Sequence, residues 1–446
     1  MGLGAFLEPL VVATLLIGGT WINRLDTSHF HTRHAGRRSS KSSDEFSDKA
    51  LERLEEGMSS AYSASNSLLP VPTSRSLSPS LLLDQECSWR TRQVGLWVWK
   101  KEIITPNTAK FRNRPISRIL RRFPFLVECW YWALVYWTYQ LARAFTAVAL
   151  KDKTVEIARK HAIQLINLEE GLHIFCEMQI QRYFLRHSML IAWMNWLYSF
   201  IHIPGTIAFL VCLYYYTTTR NRMADRSGSP TDAAFYQARR RTLALCNLLA
   251  FVIFTLWPCM PPRLLRDSSA KGSVGELPNS YGFVDTVHGA FGASSVWTQN
   301  KFCNQYAAMP SLHFGYSFMI GITIMTIPLQ NNHSGDLWLQ FNISRTSFLL
   351  NMRCPSWQRA ACVALGFMYP LLIFVAIIST ANHFILDAFA GAIVCALAWW
   401  GNNVLLNLLP LEDYFFWMLK IHKPEQGPAH VHARSPFIYG DFEEDP

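Results

Sequence analysis

Charge is scarce in this chain: Asp, Glu, Lys and Arg make up 16% of its 446 residues, against roughly a quarter in a soluble domain. The shortage argues against two or three soluble domains, which the length alone would allow. Its ten cysteines form no C-x-x-C pair and show no metal-ligand spacing, which excludes a zinc module and a disulfide scaffold. Cys259 and Cys303 fall in one loop, where a disulfide between them is open. The other eight read as ordinary buried thiols. No internal repeat is found.

What is abundant is apolar: half of the residues are hydrophobic and 16 are Trp. They fall into long blocks near Phe123–Leu150, Met189–Tyr216, Leu243–Pro258, His313–Leu329, Ala360–Ser379 and Phe384–Leu409. Each is about the length that crosses hydrocarbon, roughly 17–25 residues, though the third and fourth are short. The expected fold is an all-α integral membrane protein with a six-helix transmembrane core over 123–409. Leu3–Ile22 adds a seventh block, with no basic residue before it and Arg24, Arg33, Arg37 and Arg38 after it. A cleaved signal peptide has the opposite order, so residues 1–23 read as an uncleaved N-terminal anchor.

Residues 24–89 read as a disordered cytosolic linker, Ser-rich over 36–88 and interrupted by Pro70, Pro72 and Pro79. Residues 90–122 carry Arg90, Arg92, Lys100, Lys101, Lys110, Arg112, Arg114, Arg118, Arg121 and Arg122 against a lone Glu102. With Trp97 and Trp99 interleaved, that pattern fits a basic segment lying on an anionic leaflet, or equally a plain topology signal. The net charge of +10 therefore points to membrane flanks and not to nucleic acid.

Basic clusters before Phe123, after Tyr216 and before Leu243 belong in the cytosol by the positive-inside rule. Loops 151–188 and 259–312 then face outward, while loop 330–358 and the tail 410–446 face the cytosol. Ile163, Ile166, Phe175 and Met178 recur at roughly helical spacing in loop 151–188, which suggests an amphipathic helix on the outer surface. The triplets Asn332-His333-Ser334 and Asn342-Ile343-Ser344 are sequons in form. On this topology they stay unmodified, and a glycan on either would invert it.

Chemistry concentrates in three stretches at the outer ends of spans. Tyr306 to Gly315 contains Pro310-Ser311-Leu312-His313, and Ser379 to Gly391 contains His383 and Asp387 four residues apart. The expectation is that each histidine sits in the first turn of a helix, with Pro310 opening one helix and Ser379 or Thr380 capping the other. Two helix N-termini would converge with free N–H groups, a site for phosphate. Asp387 would hold one nitrogen of His383 and leave the other to attack phosphorus. An ionised carboxylate inside a span is costly without a partner, which favours a functional reading. Trp257-Pro-Cys-Met-Pro-Pro-Arg263 adds a guanidinium at the same level. Taken singly, each motif is weak: a histidine that only caps a helix, or a snorkelling arginine, explains it as well.

Together these stretches resemble the type 2 phosphatidic acid phosphatase superfamily of six-helix membrane enzymes, over about Phe123–Leu409. The resemblance implies that His383 is the nucleophile forming a phosphohistidine, Asp387 its orienter and His313 the acid for the leaving oxygen. Arg263 and Ser311 would hold the phosphoryl group. Leu312, where many of these phosphatases have Gly, is similar to the branch of the fungal inositol phosphorylceramide synthases. Ile377 stands where the third motif usually has Arg, the first motif lacks its usual Lys, and Pro262-Arg263 reverses the usual order. Arg266 or Lys301 would then share the phosphate charge.

The resemblance implies head-group transfer from a phospholipid to a sphingolipid or similar acceptor, without metal or other cofactor; the flanking charges put the site on the lumenal side, with the endoplasmic reticulum or Golgi as the expected membrane. Lipid phosphate phosphatase is the alternative. A proton-relay transporter and a non-catalytic lipid-binding scaffold are alternatives of another class. The Asp-rich D-G-x-x-A-R signature of CDP-dependent alcohol phosphotransferases is absent.

Overall fold

A computed structural model of the protein describes residues 4–25, 88–96, 99–149, 154–223, 233–266, 281–286, 306–329, 336–343, 346–353 and 356–424. Residues 36–87 of the Ser-rich linker, Lys301, Cys303 and Asn332 lie outside this set.

A helix lies over each of the seven apolar blocks, and further helices stand between them. In chain order the first are α1 (Gly4–Ile22), α2 (Pro115–Arg122), α3 (Phe125–Ala149), α4 (Thr154–Gly171) and α5 (Glu177–Leu185). Next come α6 (Ser188–Thr219), α7 (Ala233–Leu256), α8 (Leu312–Thr326) and α9 (Trp357–Ser379). The last apolar run, Ile385–Met418, is α10 (Ile385–Gly401), a 3-10 stretch (Asn402–Leu408) and α11 (Leu409–Met418). Helix α11 thus begins where the sequence suggested that a tail starts.

Three helices among the described residues are long and apolar enough to cross a membrane: α6, α9 and the Ile385–Met418 run. The outer faces are apolar: Leu256, Leu365, Phe389 and Trp400 are exposed. This is a membrane protein. Water does not drive helix against helix in hydrocarbon, so close packing of small residues must do so. A Cβ on Gly391 of α10 would stand 2.2 Å from the Ser311 carbonyl oxygen, and one on Gly321 of α8 2.2 Å from that of Gly366 in α9. Helix α8 therefore packs backbone to backbone against both α9 and α10. Helix α1 lies against the same bundle, with Gly19 facing Val211 and Phe125 and Thr219 Oγ1 donating to Asn23 Oδ1 at 2.6 Å.

Two hairpins depart from the all-α expectation. β1 (Trp89–Leu96) pairs antiparallel with β2 (Trp99–Pro106), and β3 (Asp336–Ile343) with β4 (Thr346–Arg353). The first lies within the basic stretch 90–122 and ties two of its arginines to the protein itself. Arg90 and Arg92 pair with Asp413 of α11, whose side chain is buried, and Thr105 Oγ1 donates to the same carboxylate at 2.8 Å. A buried carboxylate offers these arginines charge-assisted bonds that a leaflet would otherwise supply. Lys100, Lys101 and α2, with Ile116 and Ile119 exposed, remain at the surface.

Gly391→Ala should lower stability by about 1–3 kcal/mol through overpacking, read as a fall in the thermal midpoint of the detergent-solubilised protein. Gly171→Ala, with nothing within 4 Å of its Cβ, is the control and should leave the midpoint unchanged or raised.

Candidate active site

Backbone hydrogen bonds stitch the three sequence stretches into one site. Cys259 N–H donates to the Tyr306 carbonyl at 2.9 Å, and Ala308 N–H to the Cys259 carbonyl at 3.0 Å. Arg263 N–H donates to the carbonyl of Ala381, which turns the chain between α9 and α10 with φ of 51°. Ser311 N–H donates to the Asp387 carbonyl at 2.9 Å, so the start of α8 hangs on the first turn of α10. Cys259 itself is a buried free thiol, not half of a disulfide.

His313 lies in the first turn of α8, as expected, but Ser311 and not Pro310 opens that turn: its hydroxyl accepts from Phe314 N–H. His383 lies outside the helix altogether. Ser379 is the last residue of α9, and α10 starts at Ile385 with Phe384 at its N-cap. Asp387 closes that cap by accepting from Phe384 N–H at 2.9 Å.

His383 is 6% exposed, Asp387 fully buried. The Nδ1 of His383 stands 2.7 Å from the Ala308 carbonyl oxygen and 3.6 Å from Asp387 Oδ2. A carbonyl only accepts, so Nδ1 carries the proton and Nε2 holds the free lone pair. The main chain thus fixes the tautomer that the sequence reading assigned to Asp387. The carboxylate, just beyond hydrogen-bond reach, is placed to stabilise positive charge on the ring. The ring of His313 lies 5.6 Å from that of His383, centroid to centroid. Behind it, Tyr198 stacks at 4.6 Å and His202 at 4.9 Å, with the Tyr369 hydroxyl 3.4 Å from His202 Nδ1.

Arg263 is anchored on both sides. Its Nε donates to Asn382 Oδ1 at 2.8 Å, and its Nη1 pairs with Asp285 Oδ2 at 3.1 Å. The structure therefore brings together His383, Asp387, His313, Arg263 and Ser311. Arg266 is exposed at the edge of the described chain, and Lys301 is outside it.

The expectation of a bare helix N-terminus fails at α10. Phe384 N–H is taken by Asp387, Ile385 N–H by Glu177 Oε1 at 2.9 Å, and Leu386 N–H by Glu169 Oε1 at 2.8 Å. Carboxylates, not phosphate, occupy the positive end of this helix dipole. Glu169 and Glu177 come from α4 and α5. The buried face of α4 (Ala158, Ala162, Leu165 and Ile166) packs with Cys259, Phe283 and Phe384, and of the residues expected on an amphipathic helix it includes Ile166. Both acids are fully buried, and their Oε2 atoms meet no hydrogen-bond donor. Burial, and then hydrogen bonding and repulsion from Glu177, push the Glu169 carboxyl well above the usual glutamate range.

Sequence reasoning missed both acids, seeing only loop charge, and also missed His202 and Asp285. For His202 a signal existed: an ionisable side chain inside an apolar block is functional by default. For the acids none did, because their partners are main-chain amides more than 200 residues away.

A buried nucleophile-ready imidazole backed by a carboxylate, with a second imidazole beside it, can carry a phosphoryl group covalently and shuttle one proton. Such an arrangement is chemically suited to phosphoryl transfer at a membrane. The sequence profile described as PAP2 superfamily matches residues 163–227, 230–332 and 346–401, half of the chain, and the protein belongs to that superfamily. It is accordingly of the lipid phosphatase or phosphotransferase type. Neither the curated proteins nor the solved structures yield a match.

Glu169 is neutral when folded and ionised at ordinary pH when unfolded, so its raised pKa favours unfolding as pH climbs. Stability should be fullest below the usual glutamate pKa and fall as pH rises toward the raised value. Glu169→Gln, which keeps an acceptor for Leu386 and a donor for Glu177, should flatten that loss in thermal midpoints taken across pH. An unchanged slope would remove Glu169 as its source.

Proposed function

We propose that the protein is a head-group phosphotransferase of inositolphosphotransferase type, acting through a phosphohistidine on His383. The observation that carries this reading is the Ala308 carbonyl on His383 Nδ1, which leaves Nε2 as the nucleophile. Nε2 attacks the phosphorus of a phospholipid and the bond to the diacylglycerol oxygen breaks. His313, in its protonated form, gives that oxygen its proton. The head-group phosphate is then bound to His383, and Asp387 offsets the positive charge on the ring. In the second half an acceptor hydroxyl, from a sphingolipid or similar lipid, loses its proton to His313. Its oxygen attacks phosphorus and the P–N bond breaks. Arg263 and Ser311 hold the phosphoryl oxygens, with Arg266 and Lys301 as further cations.

The setting follows the membrane-flank charges: six helices (α3, α6, α7, α8, α9 and α10) cross, α1 anchors the N-terminus, and the site opens to the lumen of the endoplasmic reticulum or Golgi. No step calls for a metal, so full activity in chelator is expected, whereas complete loss restored by Mg²⁺ would contradict the scheme. Water in place of the lipid acceptor would give a phosphatase through the same intermediate.

The test is a product profile of the purified protein, supplied with phosphatidylinositol plus ceramide and, separately, with phosphatidic acid. Transfer to ceramide that disappears in His383→Ala is expected. Phosphate release as the sole His383-dependent product would make the protein a lipid phosphatase. Equal background in wild type and variant would overturn both. Asp387→Asn should slow turnover by about 100-fold or more while leaving KM near that of wild type.

A further inference from the structure

Asp285 is held in place more firmly than a loop residue needs to be. It belongs to the strap 281–286, whose Phe283 is 1% exposed in the core beneath. On one side of Asp285, Gln181 Nε2 donates to the Val284 carbonyl at 2.8 Å, and Val284 N–H donates back to Gln181 Oε1 at 3.1 Å. On the other side, Asn195 Nδ2 donates to the Thr286 carbonyl at 3.1 Å, and Thr286 Oγ1 donates to Asn195 Oδ1 at 3.2 Å. Both amide side chains are buried. Each commits its oxygen and its nitrogen to one neighbour of Asp285. Two buried amides from α5 and α6 thus fix a single residue, and its carboxylate meets Arg263 Nη1.

Through Arg263 and Asn382 that carboxylate is linked to the turn carrying His383. Its side chain keeps 26% exposure while that of Arg263 keeps 10%, so Asp285 is the more open member of the pair. A carboxylate there opposes the second negative charge of a phosphate monoester, since like charges in a partly buried site repel strongly. It does accept hydrogen bonds, and charge-assisted ones are strong. An ammonium group would meet Arg263 beside it, but neutral hydroxyls would not be repelled. An adjacent acceptor and donor, Asp285 and Arg263, suit the neighbouring hydroxyls of a polyol.

We propose that Asp285 is the specificity residue of this site, accepting hydrogen bonds from the hydroxyls of a polyol head group on a phosphodiester and disfavouring phosphate monoesters. The inference rests on the reading of this site as the phosphoryl-transfer centre and names the substrate class that it takes.

The experiment is binding, so that it does not depend on turnover. Glycerophosphoinositol and inorganic phosphate are titrated into the full-length protein in detergent, in a His383→Ala background, with and without Asp285→Asn, and thermal shift is read. Asp285→Asn should weaken glycerophosphoinositol by about tenfold or more and leave phosphate unchanged or tighter. Asp285→Ala should do the same for the polyol. Equal weakening of both ligands would mean that Asp285 only positions Arg263. No change for either, or no binding of glycerophosphoinositol before substitution, would also overturn the proposal. Failure of lipid turnover with this selective pattern intact would count against the proposed reaction and not against Asp285.

Discussion

The site depends on one contact, where the start of α8 and the first turns of α10 meet with no side chain between them. Ser311 N–H bonds the Asp387 carbonyl, and Gly391 leaves the Ser311 carbonyl the room that a Cβ would fill. His313 and His383 can face one another because the two backbones come this close. In hydrocarbon, where apolar area gives helices no reason to associate, such small-residue seams carry the packing. Site geometry and fold stability are therefore properties of the same few residues.

Electrostatics at α10 run opposite to the simplest expectation. A helix N-terminus in a phosphate enzyme invites phosphate, yet three successive amides here are closed by Asp387, Glu177 and Glu169. The arrangement ties the start of α10 to α4 and α5 and, on the proposed reading, sets acidic groups near a ring that becomes cationic during transfer. On the proposed reading Arg263, itself paired with Asp285, supplies positive charge to the phosphoryl group. A singly charged phosphodiester fits such a balance better than a dianion.

Much of this was legible in the sequence. The apolar blocks located the helices because period and length survive any tertiary context. His383, Asp387, His313, Arg263 and Ser311 converge as their spacing suggested, since all sit at one end of predicted spans. The capping details were not legible: Ser311 rather than Pro310 opens α8, and Phe384 with Asp387 opens α10. Caps depend on local turns, and the positive φ at Ala381 that delays α10 leaves no mark in composition. The β1–β2 hairpin was hidden because its arginines read as lipid contacts until Asp413, more than 300 residues on, appears beside them. Glu169 and Glu177 escaped for the same reason: each acts through a partner more than 200 residues along the chain.

The central claim is a head group carried covalently on His383. Phosphatidylinositol labelled in both phosphate and inositol would be mixed with the protein without acceptor, quenched in base, and the peptides mapped. Both labels on the peptide containing His383, discharged by added ceramide, are the predicted result. Lipid turnover in which no label, or phosphate label elsewhere, is trapped would contradict the account. Phosphate without inositol on His383 would contradict the phosphodiester reading.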